Sequence, residues 1–189
     1  MIKMKDIIKE GHDDLRKVAE PVKIPVSPED KKILLDLLGY VINSQDEEMS
    51  KKYGLRPAVG LAAPQIDSLK RMFAIVAYNE EGRCHILPLV NPKIISHSKE
   101  VIYLPDGEGC ISVTRTTQGV TPRYKEITFE AHKYNHNKDE FEKVRMTLKG
   151  YLAIVFQHEY DHLDGILYVD KLYNSLPNAT PLVIESQEE

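Results

Sequence analysis

The stretch Gln157-His158-Glu159-Tyr160-Asp161-His162 constrains this chain more than any other. On an α-helix, positions i and i+4 share a face, so His158 and His162 point the same way and can hold one divalent metal. Glu159 stands next to the first histidine, where its carboxylate can take a proton from water at that metal. The preceding run, Tyr151-Leu152-Ala153-Ile154-Val155-Phe156, is apolar nearly all round. It predicts a buried helix and a metal site with little water around it. A helix whose histidines only pack or cap is the plain alternative. Two imidazoles are also too few, because a catalytic site of this kind wants three protein ligands and an open position.

Composition bounds the rest. With 189 residues, 42% of them hydrophobic and 29% charged, the chain has room for one compact domain and a sizeable core. Net charge is −4, and no basic tract stands out, so nucleic acid is not an expected ligand. No signal-peptide pattern is visible, and no apolar run approaches the ~20 residues of a membrane span. Cys84 and Cys110 do not make a disulfide framework. They predict a reducing, cytoplasmic home, where a cysteine is more often chemical than structural.

In chain order, Met4–Ile8 reads as a short ordered segment and Asp13–Ala19 as a helical turn closed by Pro21. Ser27-Pro28-Glu29-Asp30 is a helix start: an N-cap, a proline at the first position, and acids at the positive end of the dipole. Ile33, Leu34, Leu37, Leu38, Val41 and Ile42 follow at helical spacing. Asp46–Tyr53 reads as a short helix ended by Gly54. Val59–Ile66 is small, apolar and glycine-bearing. Arg71–Tyr78 reads as a buried strand that pairs with Cys84–Val90 through a turn at Glu80-Glu81-Gly82. Asn91-Pro92 punctuates, then Lys93–Ser96 and Val101–Leu104 read as further strands. Tyr124–Lys133 and Phe141–Leu148 alternate as strands around a polar turn. Lys149-Gly150 opens the His-Glu helix, which stops near Gly165, and Ile166–Val169 reads as a short strand. From about 175 to 189 the chain reads as a tail: a terminal strand at Leu182-Val183-Ile184, then a frayed acidic end. One α+β domain over 1–189 is expected, with strands around a central metal-binding helix.

Cys110 is the best third ligand, since a thiolate binds borderline metals strongly and its glycine neighbours allow close approach. His12, His85, His97, His132 and His136 compete but lie on polar strands and turns and read as surface residues. Cys84 reads as a small core residue in a strand.

Three patches now stand in order: Gly60-Leu61-Ala62-Ala63-Pro64-Gln65, Glu108-Gly109-Cys110-Ile111-Ser112, and Gln157 to His162. Together they resemble the ordered motifs of the peptide deformylases, and the similarity runs from Met4 to about Leu172. Val90 to Ser98 and the long segment before Gly60 resemble the type 2 branch. The resemblance implies an α+β fold of mixed, mostly antiparallel sheets around the metal helix. It also implies removal of formyl from the N-terminal methionine of new polypeptides. Cys110, His158 and His162 would be the ligands, with Fe²⁺ the usual metal and Ni²⁺, Co²⁺ or Zn²⁺ also accepted. Glu159 would be the acid/base. Gln65 and the Ile111 backbone N–H would form the oxyanion hole. Gly60 and its neighbours would bind the peptide as an added strand, with Glu108 and Gly109 on the facing side of the substrate site.

The physics of each role agrees. Hydrolysis of a formamide at neutral pH needs acidified water, a donor for the tetrahedral oxyanion, and a proton for the leaving amine. Gly60, Leu61, Gln65, Cys110 and Ile111 are expected to wall in a space that fits a formyl hydrogen better than an acetyl methyl. Val59, Ile154 and Val155 are expected to line a pocket for the methionine side chain. Asp161 is expected to pair with Arg123 behind the ligands. The chain departs from the family pattern at Ala58, Ile111 and Tyr160, and in the loop Thr114–Thr117. The implied partners are N-formyl-methionyl nascent peptides, which brings the ribosome into view. Two other readings compete: an H-E-x-x-H metallopeptidase, and a metal-binding module without catalysis.

Overall fold

The computed structural model describes residues 1–183. The chain opens with 3₁₀ turns at Met4–Asp6 and Asp13–Arg16. Helix α1 spans Pro28–Gln45, and the Ser27 side chain accepts from the Asp30 N–H at 3.1 Å. Such a cap contributes about 1 kcal/mol. Helix α2 spans Glu47–Tyr53 and closes on Gly54, which takes the left-handed conformation at φ 61°. Strand β1 is Gly60–Ala62, followed by a 3₁₀ turn at Ala63–Ile66. Then come β2 (Met72–Tyr78), β3 (Cys84–His97), β4 (Val101–Tyr103), β5 (Arg123–Tyr124), β6 (Glu126–Asn135) and β7 (Glu140–Lys149). Helix α3 spans Gly150–Leu163, and β8 is Thr180–Pro181.

Five strands form an antiparallel sheet in the order β1-β2-β3-β6-β7. Strand β2 shows why it is central. Met72, Ala74 and Val76 point to one face and Phe73, Ile75 and Ala77 to the other, and all are buried. Helix α1 covers the first face with Leu34, Leu37, Tyr40 and Val41. Helix α3 covers the second with Leu152, Ala153, Val155 and Phe156. Phe156 packs edge-on to Phe73 with ring centroids 5.2 Å apart, and against Phe129 at 4.4 Å. Burying one such side chain contributes about 1.5–3 kcal/mol. Among the described residues the edge strand β1 pairs only with β2, which leaves its outer side open. A small sheet, β5-β4-β8, meets α3 through β5, with β8 parallel to β4.

The start of α3 is capped from a distance. Lys149 offers no side-chain cap, but Glu80 from the β2–β3 turn accepts the Tyr151 N–H at 2.8 Å. Its negative charge suits the helix N-terminus. Gly150 makes this possible: it has φ +55°, and a Cβ would stand 2.6 Å from the Glu80 carboxyl carbon.

Several sequence expectations need correction. The two strands expected around Asn91-Pro92 are one, β3. Asn91 takes φ 50° at a shift of register, so the chain bulges instead of breaking. Its amide then ties both backbone groups of Val22, at 2.8 Å each. Cys84 is exposed at the start of β3 and is not a core residue. Ile166–Val169 is not a strand. The chain forms a 3₁₀ turn at Tyr168–Lys171, because the Asp170 carboxylate accepts the Leu167 N–H at 2.9 Å. The terminal strand lies at Thr180–Pro181, before Leu182-Val183-Ile184. Ile184 and the acidic end that follows lie outside the described residues. No helix among the described residues is long and apolar enough to cross a membrane.

Candidate active site

Helix α3 presents His158 and His162 on one side, as their spacing requires, with ring centroids 5.1 Å apart. The irregular segment after Pro105 brings Cys110 to them, and Cys110 Sγ lies 3.4 Å from His162 Nε2. Single donor atoms of Cys110, His158 and His162 all lie within 4.8 Å of one another. The other such group among the described residues, His12, Asp14 and Asp67, sits at the surface. Tetrahedral coordination by sulfur and imidazole nitrogen puts such atoms roughly 3.5 Å apart, so the donor set fits a divalent ion. His12, His97 and His136 are exposed, and His85 and His132 are half-buried on the sheet.

Cys110 and the histidines shift one another's charge, and a metal would take the place of the histidine proton. Burial pushes the Cys110 thiol up, but His162 and His158 outweigh it and hold its pKa well below the usual value. Burial lowers His158, but Cys110 and Glu108 raise it well above its ordinary value. His158 Nδ1 lies 2.7 Å from Glu108 Oε2, and a carboxylate only accepts, so Nδ1 is the donor and Nε2 is left for a metal. Glu108 is held in turn by Arg123 Nε and Nη2 at 2.8 and 2.9 Å. Burial pushes the Glu108 carboxyl up, yet Arg123 and His158 bring it down to about 2. Arg123 Nη1 donates to Asp161 at 2.5 Å, and Lys171 Nζ donates to both Asp161 oxygens at 2.9 Å.

This chain of charges runs from the histidine to the surface, and sequence reading reached only its Arg123–Asp161 link. Gln157 keeps it in place: its amide accepts from the Tyr124 N–H and donates to the Tyr124 carbonyl, both at 2.9 Å, fixing β5 onto α3. Removing one partner of a buried pair leaves a charge uncompensated. Glu108→Gln is therefore expected to weaken metal retention about 10–100-fold, as read by competition with a chelator. Unchanged affinity would show that Glu108 only packs.

Glu159 is 4% exposed, and its Oε2 has no hydrogen-bond partner. His162 Nδ1 beside it also lacks a protein partner, and such groups call for a water, an ion or a chemical role. Burial raises its pKa to about 7, against the pull of His158 and His162. Gly60 makes room for it, since a Cβ there would stand 2.7 Å from Glu159 Cγ. Gln65 is 1% exposed in the 3₁₀ turn after β1. Its Oε1 accepts the Ala62 N–H at 2.9 Å, and its Nε2 donates to Ser112 Oγ at 3.1 Å and to Cys110 Sγ at 3.4 Å. Ser112 as the holder of this amide carried no sequence signal.

A cavity of about 320 Å³ opens beside these groups. Val59, Gly60, Gln65, Glu108, Gly109, Cys110, Ile111, Ile154, Val155, His158 and Glu159 line it. Leu61 does not: its side chain is fully buried in the cluster under α1. Strand alternation sends it to the opposite face from its neighbours, so only its backbone stands at the open edge of β1. Gln45, Arg56, Leu104 and Tyr151 also line the cavity, and the sequence did not mark them. Ala58 is not among the residues with positive φ, so its backbone does not call for glycine. Tyr160 packs on Phe156 and under the Arg71 guanidinium.

The chain is similar to known proteins along most of its length. A family model described as polypeptide deformylase matches residues 4–177. Among curated relatives, a peptide deformylase of Shouchella clausii is 52% identical over 172 residues, covering 91% of each chain. Peptide deformylase 2 of Geobacillus stearothermophilus is 52% identical over 181 residues, covering 96% of each. A crystal structure of peptide deformylase from Thermotoga maritima superposes with a TM-score of 0.65 at 29% identity, covering 88% of this chain and 96% of that one. A Met-Ala-Ser-bound class I type b peptide deformylase from Acinetobacter baumannii gives 0.67 at 26%, covering 88% and 96%. Across nearly its whole length, the chain belongs to the polypeptide deformylase family, in its type 2 branch.

Proposed function

We propose that the cavity beside α3 is where this chain carries out its family's reaction, hydrolytic removal of formyl from the N-terminus of new polypeptides. One observation carries the reading. Three converging donors, an unpartnered buried carboxyl and a buried amide meet at one end of a cavity of about 320 Å³. Cys110, His158 and His162 would hold one divalent ion, with Fe²⁺ the working metal in this reading. When bound, such an ion acidifies water and polarises a carbonyl. Glu159 takes the proton of the attacking water and delivers it to the leaving amine. The Gln65 amide, on the side now facing sulfur, and the Ile111 N–H receive the developing oxyanion. The peptide lies along the open edge of β1 as an added strand, with Gly109 facing it. Val59, Ile154 and Val155 take the methionine side chain. The Met-Ala-Ser complex of the Acinetobacter baumannii relative supports a short peptide in this cleft. The chain works as one catalytic domain, since a single sheet carries both α1 and α3. Its substrates arise at the ribosome, so it works in the cytoplasm and in contact with emerging chains.

Walls made by Gly60, Gln65 and Cys110 would select sharply at the reacting carbonyl. Formyl-Met-Ala-Ser is expected to be cleaved at least ~10²-fold faster in kcat/KM than acetyl-Met-Ala-Ser, because the extra methyl meets Gly60, Gln65 and Cys110. Norleucine is expected to replace methionine, and aspartate to fail. Equal rates on formyl and acetyl substrates, or internal cleavage of an unblocked peptide, would favour a general metallopeptidase.

A further inference from the structure

Residues 108–113 carry the thiolate and the Ile111 N–H, yet they form neither helix nor strand. Their backbone groups must therefore find partners elsewhere. Much of that support comes from the N-terminal segment. The Ile8 N–H donates to the Gln65 carbonyl at 2.9 Å. The Lys9 ammonium donates to the Ile111 carbonyl at 2.9 Å, reaching 102 positions along the chain. The Glu10 N–H donates to the Ser112 carbonyl at 2.8 Å. The Glu10 carboxylate then takes Arg115 in a two-pronged pair at 2.8 and 3.0 Å. Three consecutive residues thus hold the Gln65 turn on one side and the Cys110 loop on the other.

We infer that Ile8–Glu10 is a staple that sets the spacing between the Gln65 amide and the Ile111 N–H, with Lys9 as its positioning residue. The inference rests on the reading of those two groups as the oxyanion donors. Lys9 touches neither substrate nor metal in this account. It anchors the Ile111–Ser112 peptide, while the Val113 N–H holds the Cys110 carbonyl of the preceding peptide at 3.1 Å, so the Ile111 N–H in that preceding peptide is fixed only with both anchors in place. Lys9 is half-buried, and its burial and the Arg56 guanidinium lower its pKa from the ordinary value. The contact is therefore not a freely solvated surface bond. The alkyl stem alone cannot replace it, because the Ile111 carbonyl would lose its donor.

Donor placement matters only when charge develops, so kcat and not KM should respond. A misplacement of about 1 Å can cost roughly 10²-fold. In metal-loaded full-length protein, Lys9→Met is expected to lower kcat about 10–100-fold on formyl-Met-Ala-Ser, with KM changed less than about threefold. Metal content should stay at the wild-type level. Lys9→Arg, which keeps a long cationic donor, should restore kcat to within about threefold. Lys9→Gln, a milder change, should fall between them and decides the matter if Lys9→Met does not fold. Gln65→Ala serves as the control and should lose about 10²–10³ in kcat. If both Lys9→Met and Lys9→Gln turn over like wild type while Gln65→Ala collapses, the staple is wrong and the oxyanion reading survives. A fully active Gln65→Ala sinks both. Loss of metal in step with loss of activity, or no rescue by arginine, would also overturn the inference.

Discussion

Glu159→Gln is expected to keep its metal and lose most of its turnover. The substitution preserves shape, so the packing over Gly60 survives, where a Cβ would stand 2.7 Å from Glu159 Cγ. It leaves Cys110, His158 and His162 untouched, and these form the donor group. What it removes is a group able to take and return a proton. Burial holds the Glu159 carboxyl at a pKa of about 7, and its Oε2 has no partner to distract it. General acid–base catalysis of this kind is worth about 10²–10⁴-fold, so kcat should fall by that factor. Formate release and metal content, measured on one preparation, decide the case. Turnover near that of wild type would remove Glu159 from the chemistry. Loss of metal together with activity would make it a structural support of the site.

How much of this was readable in advance depended on whether the signal was local. The His-Glu helix was legible because its apolar run and its ligand spacing share one periodicity, and α1 because Ser27 and Pro28 announce it. The open backbone edge at Gly60 was legible, but the face of Leu61 was not, since one residue of register in β1 decides it. Asn91 looked like a break. Only the position of Val22, brought in from far along the chain, shows that its amide completes a bulge. Cys84 was misplaced because strand membership says nothing of which end of a hairpin is covered. The three side chains that converge as a candidate metal group could be named from the motifs. Their supports, Ser112, Gln157, Lys171 and Lys9, could not, because each meets its partner only once the sheet and α3 have packed. Contiguous motifs carry the residues that gather at the cavity, and three-dimensional proximity carries the groups that hydrogen-bond to them.

Cys110→Ala should separate the two cysteines cleanly. Cys110 lies 3.4 Å from His162 Nε2, and the two histidines hold its thiol well below the usual pKa against the push of burial. A thiolate prepared in this way is a ready anionic ligand for a borderline metal, and alanine offers none. Two imidazoles would remain, and a bound metal draws much of its affinity from the full donor set. Metal content after dialysis against a moderate chelator should therefore drop at least about tenfold in Cys110→Ala. Cys84→Ala should match wild type, since Cys84 is exposed at the start of β3 and belongs to neither metal-ligating group among the described residues. Cys110→Ala should also lower the melting temperature of loaded protein towards that of chelated wild type, because ligand binding stabilises by mass action. Chelated samples of the two should then differ little, which isolates ligation from packing. Equal metal in all three proteins would place the third ligand elsewhere, and with it the family chemistry that the loop before Ile111 is built to deliver.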